Sequence, residues 1–109
     1  MNDLASKTCS PQHGKALGKD EATTLLTQVA GWSLVDDAKG VRREFSFQNF
    51  FLTMAFVKAV AWIANQQAHH PDMTVGYNKV GVIFSTHSVG GLSENDLICA
   101  AKVNALGTL

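Results

Sequence analysis

The chain has 109 residues, 46% hydrophobic and 17% charged, with nine basic residues against nine acidic ones and a formal net charge of zero. Such a length makes one globular domain with a core of its own and rarely divides in two. A balanced charge with an isoelectric point near 6.9 gives no long-range field for phosphate backbones or anionic lipid, so direct nucleic-acid and membrane binding are not expected.

The longest apolar stretch, Met54 to Ala64, is about half a bilayer span and carries Lys58, which argues against a spanning segment. The opening MNDLASKTCSPQHGK lacks the charged and apolar regions of a secretory signal, so a cytoplasmic location is expected. Cys9 and Cys99 are too few for a disulfide framework and read as free thiols in a reducing compartment. Cys99 falls in a helical run and is expected in the core. Cys9 with His13 has a spacing that could hold a metal, but two ligands in a polar tail do not make a site.

Residues 1–18 mix Ser, Gly, Lys, Pro and Gln without periodicity and read as a flexible or surface-draped tail ahead of a single domain over 19–109. From Asp20, DEATTLLTQVAGW places acids first and apolar residues at helical spacing, with Gly31 as the expected stop. Two strands follow, Trp32 to Val35 and Val41 to Phe47, joined by the turn residues Asp36-Asp37-Ala38-Lys39-Gly40. Val41, Arg43, Phe45 and Phe47 share the apolar side, where Arg43 marks the sheet margin. Asn49 to Gln67 contains no Gly or Pro and reads as the main helix. Its row Phe50, Met54, Val57, Ala61 and Ala64 is expected to face the core, and a second row, Phe51, Ala55 and Trp62, widens the apolar surface.

Pro71 disfavours helical geometry at His70 and ends that helix near the histidine pair. Asp72 to Gly76 reads as a short edge strand and Lys79 to His87 as a longer one, with Val80, Val82, Phe84 and Thr86 on one face. After Gly90-Gly91, Ser93 and Asp96 have the spacing of a capping box opening a last helix to about Ala105. The order is helix, strand, strand, helix, strand, strand, helix. It predicts an α+β fold with one four-stranded antiparallel sheet and three helices on one face.

His69, His70 and His87 fall at element ends, where side chains can converge on a cleft. Imidazole both donates and accepts near working pH, which suits a reaction that removes one proton and delivers another. Zinc held by the three imidazoles is the rival reading. Adjacent side chains diverge, however, and no carboxylate clearly completes a second shell.

The run His69-His70-Pro71, five residues, Tyr77, nine residues, His87, eight residues, Asp96 resembles the signature of pterin-4a-carbinolamine dehydratases. Gly31-Trp32, Phe45-Ser46-Phe47 before Asn49-Phe50, Tyr77-Asn78-Lys79-Val80, Ser85-Thr86-His87 and Gly91-Leu92-Ser93 extend the likeness over roughly residues 20 to 105. The resemblance implies the same sheet and helices, a homodimer or homotetramer, and no metal or organic cofactor. It also implies dehydration of 4a-hydroxytetrahydropterin to quinonoid dihydropterin, which recycles the tetrahydrobiopterin of aromatic amino-acid hydroxylases.

Carried over by position, His69, His70 and His87 are catalytic, with His69 and His87 the proton-transfer pair in either assignment of acid and base. His70, Thr86, Asp96 and Tyr77 contact the substrate. Each of the last three also has a structural role open to it: Asp96 as a helix cap, Tyr77 packed beside the cleft, Thr86 on a sheet face. One position departs from the family, which commonly carries an ionisable residue where this chain has Asn65. On a helix, positions 65 and 69 share a face, so Asn65 can hydrogen-bond His69 and fix its tautomer, but it supplies no negative charge unless Asp72 replaces it. Adjacent positively charged imidazoles would oppose each other, so the three histidines are expected mostly neutral around pH 7 and titrating as a coupled set. Some family members also bind a homeodomain transcription factor. A non-catalytic, dimer-stabilising role on the Phe51, Ala55 and Trp62 surface is thus the alternative to the enzyme.

Overall fold

The computed structural model describes residues 3–107. Seven main elements follow in the expected order: α1 (Lys19–Leu26), β1 (Ser33–Val35), β2 (Gly40–Ser46), α2 (Phe50–Gln67), β3 (Asp72–Val75), β4 (Lys79–Phe84) and α3 (Glu94–Asn104), with short 3-10 turns at Leu4–Ser6 and His87–Val89. The strands form one antiparallel sheet in the order β1-β2-β4-β3, so the expected α+β architecture is the one observed. No helix among the described residues is long and apolar enough to cross a membrane.

Strand alternation places Val41, Arg43 and Phe45 opposite Phe84, Val82 and Val80 across the β2–β4 ladder. This is the covered face, where Val41, Val80, Val82 and Phe84 are fully buried. Arg43 lies at its margin, as the pattern predicted. Its guanidinium donates to Ala30 O and to Asn104 Oδ1 and lies 4.6 Å from the Phe45 ring centroid, so the charge is paired with polar atoms and an aromatic face. Gly31 makes room for it: at φ +90°, a Cβ there would meet Arg43 Nε at 2.7 Å.

Two element ends and one turn differ most from the sequence reading. α1 ends at Leu26, before Gly31, because the chain tightens into i→i+3 bonds from Thr27, Gln28 and Val29 to Thr24, Leu25 and Leu26. β4 ends at Phe84, and His87 begins a 3-10 turn instead of closing the strand. The β1–β2 connection runs through left-handed Asp36, Asp37 and Ala38, of which the two Asp are the better suited to that geometry.

The buried face of α2 is only partly the expected one: Ala64 is buried as its spacing placed it and Val57 packs against the core, but the rest of the row is shifted. Thr53, Phe56, Val60, Ile63 and Ala64 are buried, whereas Phe50, placed on the core row by its spacing, is 49% exposed. The helix is apolar on several sides, so periodicity alone does not select a face. What selects it is the pairing of Phe56 with Phe45 and Phe47, at centroid separations of 4.5 and 5.0 Å. Thr53 joins the buried row because its hydroxyl is within hydrogen-bond reach of Asn49 O and Tyr77 O.

α3 is the central helix. Residues 95–101 and Val103 are buried, which requires cover on more sides than the sheet and α2 provide. The first described residues supply it. Leu4 is 2% exposed within the core, Lys102 Nζ donates to Ala5 O, and Ser10 exchanges two hydrogen bonds with the Asn95 side chain. Residues 3–12, expected as part of a tail, thus run antiparallel to α3.

Phe56→Ala is expected to cost about 3–5 kcal/mol in urea denaturation, the usual range for emptying a buried Phe site. A loss below about 1 kcal/mol would show that the Thr53, Phe56, Val60 and Ile63 row is not the core face.

Candidate active site

α2 ends where the backbone turns left-handed at Ala68, φ 51°, and the His69 N–H donates back to Ala64 O. This αL stop redirects the chain. His69 leaves the helix axis and lays its ring parallel to Phe84, 6.0 Å between centroids and 11° between planes. Its Nε2 lies 2.5 Å from Asp96 Oδ1.

Asp96 is fully buried and each of its oxygens is used. Oδ2 accepts from the Thr86 hydroxyl at 2.7 Å and from the Ser93 N–H at 3.0 Å. Because Thr86 gives its proton to Asp96, the Ser93 hydroxyl, 2.7 Å away, donates to Thr86. Asp96 therefore both caps α3 and holds His69. The sequence reading set these roles side by side as cap or substrate contact.

The Asp96 carboxylate, first through its hydrogen bond and then through its charge, raises the His69 pKa above the usual value near 6.5; partial burial opposes this and Cys9 adds to it. Asp96 thus works against the expected neutrality at His69, and it is Asp96, not Asp72, that stands as the negative partner, Asp72 being exposed on β3. The expected link through Asn65 is corrected too: the left-handed turn breaks the helix face that would have joined positions 65 and 69. Asn65 is exposed and its side chain makes no hydrogen bond among the described residues.

A cleft of about 280 Å³ opens beside this cluster, lined by Cys9, Gln12, Gln67, His69, Thr86 and Asn95 among others. His70 and His87 are exposed and each stands one residue along the chain from a lining residue. Tyr77 does not join them. It lies in the turn at the far end of β4, 66% exposed and stacked on Phe50. Among the described residues no three His, Cys, Asp or Glu groups are placed to hold a metal ion, and Cys9 faces Cys99, not His13.

Sequence reasoning missed Ser93 as a donor to Thr86 and Phe84 as the plate under His69. It also missed the wall from Cys9 to Gln12. The wall carries no local signal, because the hydrogen bond from the Cys9 N–H to Gln67 Oε1 spans 58 positions.

The model of the pterin 4 alpha carbinolamine dehydratase family matches residues 15–106. The chain belongs to that family. Curated relatives provisionally named pterin-4-alpha-carbinolamine dehydratase include one from Nitrosospira multiformis, 53% identical over 97% of this chain and 94% of its own length. One from Stenotrophomonas maltophilia is 51% identical over 94% and 90%. A crystal structure described as a transcriptional coactivator/pterin dehydratase from Brucella melitensis superposes with a TM-score of 0.80 at 34% identity, covering 84% of this chain and 98% of that one. A pterin dehydratase-like protein identified as a RuBisCO assembly factor shares the fold, with a TM-score of 0.61 at 23% identity over 70% of this chain and 88% of its own. The dehydratase fold thus serves proteins with more than one described role.

A histidine whose pKa is raised by folding contributes stability that is complete below its unfolded value and disappears as pH rises through the folded one. The stability advantage of the wild type over His69→Gln in urea should accordingly be largest below pH about 6.5 and shrink at higher pH. An advantage that grows with pH would mean that Asp96 does not hold the imidazolium.

Proposed function

We propose that the chain dehydrates 4a-hydroxytetrahydropterin, with the His69–Asp96 pair at its cleft as the observation that carries this reading. Elimination breaks the C4a–O bond, forms the C4a=N5 bond and removes the N5 proton. One group must therefore protonate the departing hydroxyl while another accepts from N5. His69, its protonated form favoured by Asp96, suits the acid. With Nε2 turned to Asp96, Nδ1 is the atom left to exchange the proton. His87 is the base and His70 orients the pterin, both from exposed positions next to cleft residues. Thr86 and Asp96 act on substrate through His69, since their polar atoms are engaged with each other and with His69 and Ser93. The reaction needs no oxidant and no cofactor.

Self-association through α2 accompanies this function. Phe51 and Trp62 are 79% and 64% exposed on the side of α2 turned away from its own core. Large apolar side chains displayed together mark association surfaces. The same surface supports the second reading, a binding protein, which a catalytically dead variant that keeps its cellular role would favour.

Dehydration is followed as loss of the 4a-hydroxypterin absorbance while an aromatic hydroxylase supplies the intermediate. His69→Ala is expected to lower the rate about 10²–10⁴-fold, and wild-type activity to fall as pH rises through the raised His69 value. Equal rates for both proteins would remove His69 from the chemistry. In light scattering after size exclusion, the double variant Phe51→Glu/Trp62→Glu should give a smaller species than wild type with unchanged circular dichroism. An unchanged mass would place the contact elsewhere.

A further inference from the structure

Two thiols stand beside the acid–base pair without a part in it. Cys9 Sγ lies 3.6 Å from Cys99 Sγ, across 90 positions of sequence. Cys99 is fully buried on α3, whereas Cys9 is partly exposed and lines the cleft. The approach is held from several directions: the Cys9 N–H donates to Gln67 Oε1 at 2.8 Å, its thiol reaches Asn95 O at 3.6 Å, and Ser10 is clamped twice by the Asn95 amide.

We propose that Cys9 and Cys99 form an oxidisable dithiol, which a peroxide converts to an intramolecular disulfide that ties the segment around Cys9 to α3 at the wall of the cleft. The pair would oxidise in this way whether or not the cleft carries out dehydration.

The surroundings divide the two roles. The hydrogen bond from Cys99 holds the Cys9 thiol below its usual value, with His69 and Lys102 adding to the effect against burial. The same bond, together with burial, pushes Cys99 up. Cys9 thus supplies the thiolate and Cys99 keeps its proton. Cys9 sulfur attacks one peroxide oxygen, the O–O bond breaks, and the hydroxide released takes a proton to become water. Cys9 is left as a sulfenic acid. Cys99 sulfur then attacks Cys9 sulfur, the S–S bond forms, the S–OH bond breaks, and that hydroxide leaves as water with the Cys99 proton. Two thiols lose two electrons and the peroxide is reduced to two waters. The sulfurs must close from 3.6 Å to about 2.05 Å. Cys9 lies on an irregular segment and can move towards α3 without disturbing the helix.

The test treats reduced full-length protein with equimolar hydrogen peroxide, alkylates what remains, and maps peptides without reduction. Both thiols should be lost together, with a Cys9–Cys99 cross-linked peptide and an intact mass lower by two hydrogens. Cys9→Ser should keep its Cys99 thiol under the same treatment. A sulfinic acid on Cys9 beside a free Cys99, a disulfide between two chains, or two unreacted thiols would each overturn the assignment. The wild-type peptide map decides the matter even if the variant does not fold.

Discussion

A carboxylate removed from water is tolerated only when its oxygens are fully engaged, and the middle of this molecule is arranged around that requirement at Asp96. The residue opens α3, yet it is reached by a side chain from the end of α2, a hydroxyl beyond the end of β4 and the backbone of its own cap. Three separate parts of the chain are thereby brought to one point. Among the described residues no buried side-chain polar atom lacks a partner, so the cluster carries its charge without an unpaired group.

The same arrangement links stability to chemistry. A residue at this third position of the helix that served only the capping box need only reach back to the Ser93 N–H, which Glu or Gln does as well. A cap that also holds an imidazole must be an acid of the right reach, on a helix placed firmly enough to keep its oxygen at the ring. α3 meets this condition because it is covered on nearly all sides: by the sheet, by α2, and by the residue 3–12 segment that the Asn95 amide and Lys102 fasten along it. That segment also walls the cleft, so the packing that supports the helix shapes the space beside His69.

The relatives show how far such a frame can be reused. Chains sharing this fold are described as a transcriptional coactivator/pterin dehydratase and as a RuBisCO assembly factor. Fold and function are separable here, as they are in other small folds that carry several roles.

The order of elements, the antiparallel sheet, the buried alternation of β4 and the capping box at Ser93 and Asp96 were all legible in the sequence. Each is a local pattern: period two, period 3.6, or a capping box whose two members are three positions apart. The histidine signature was legible too, through its spacing. Local pattern could not choose the core face of α2, because a helix apolar on several sides satisfies the period more than once. Nor could it show that Asn65 and His69 part company, since the left-handed Ala68 shows only in the backbone. It could not separate Tyr77 from the histidines, or pair Cys9 with Cys99, because those relations depend on which surfaces meet after folding. The sequence by itself determined the elements and the residue types able to move protons. The tertiary structure alone decided which of them face one another, because contacts between residues far apart in the chain are settled by packing and by the need to satisfy buried polar groups together.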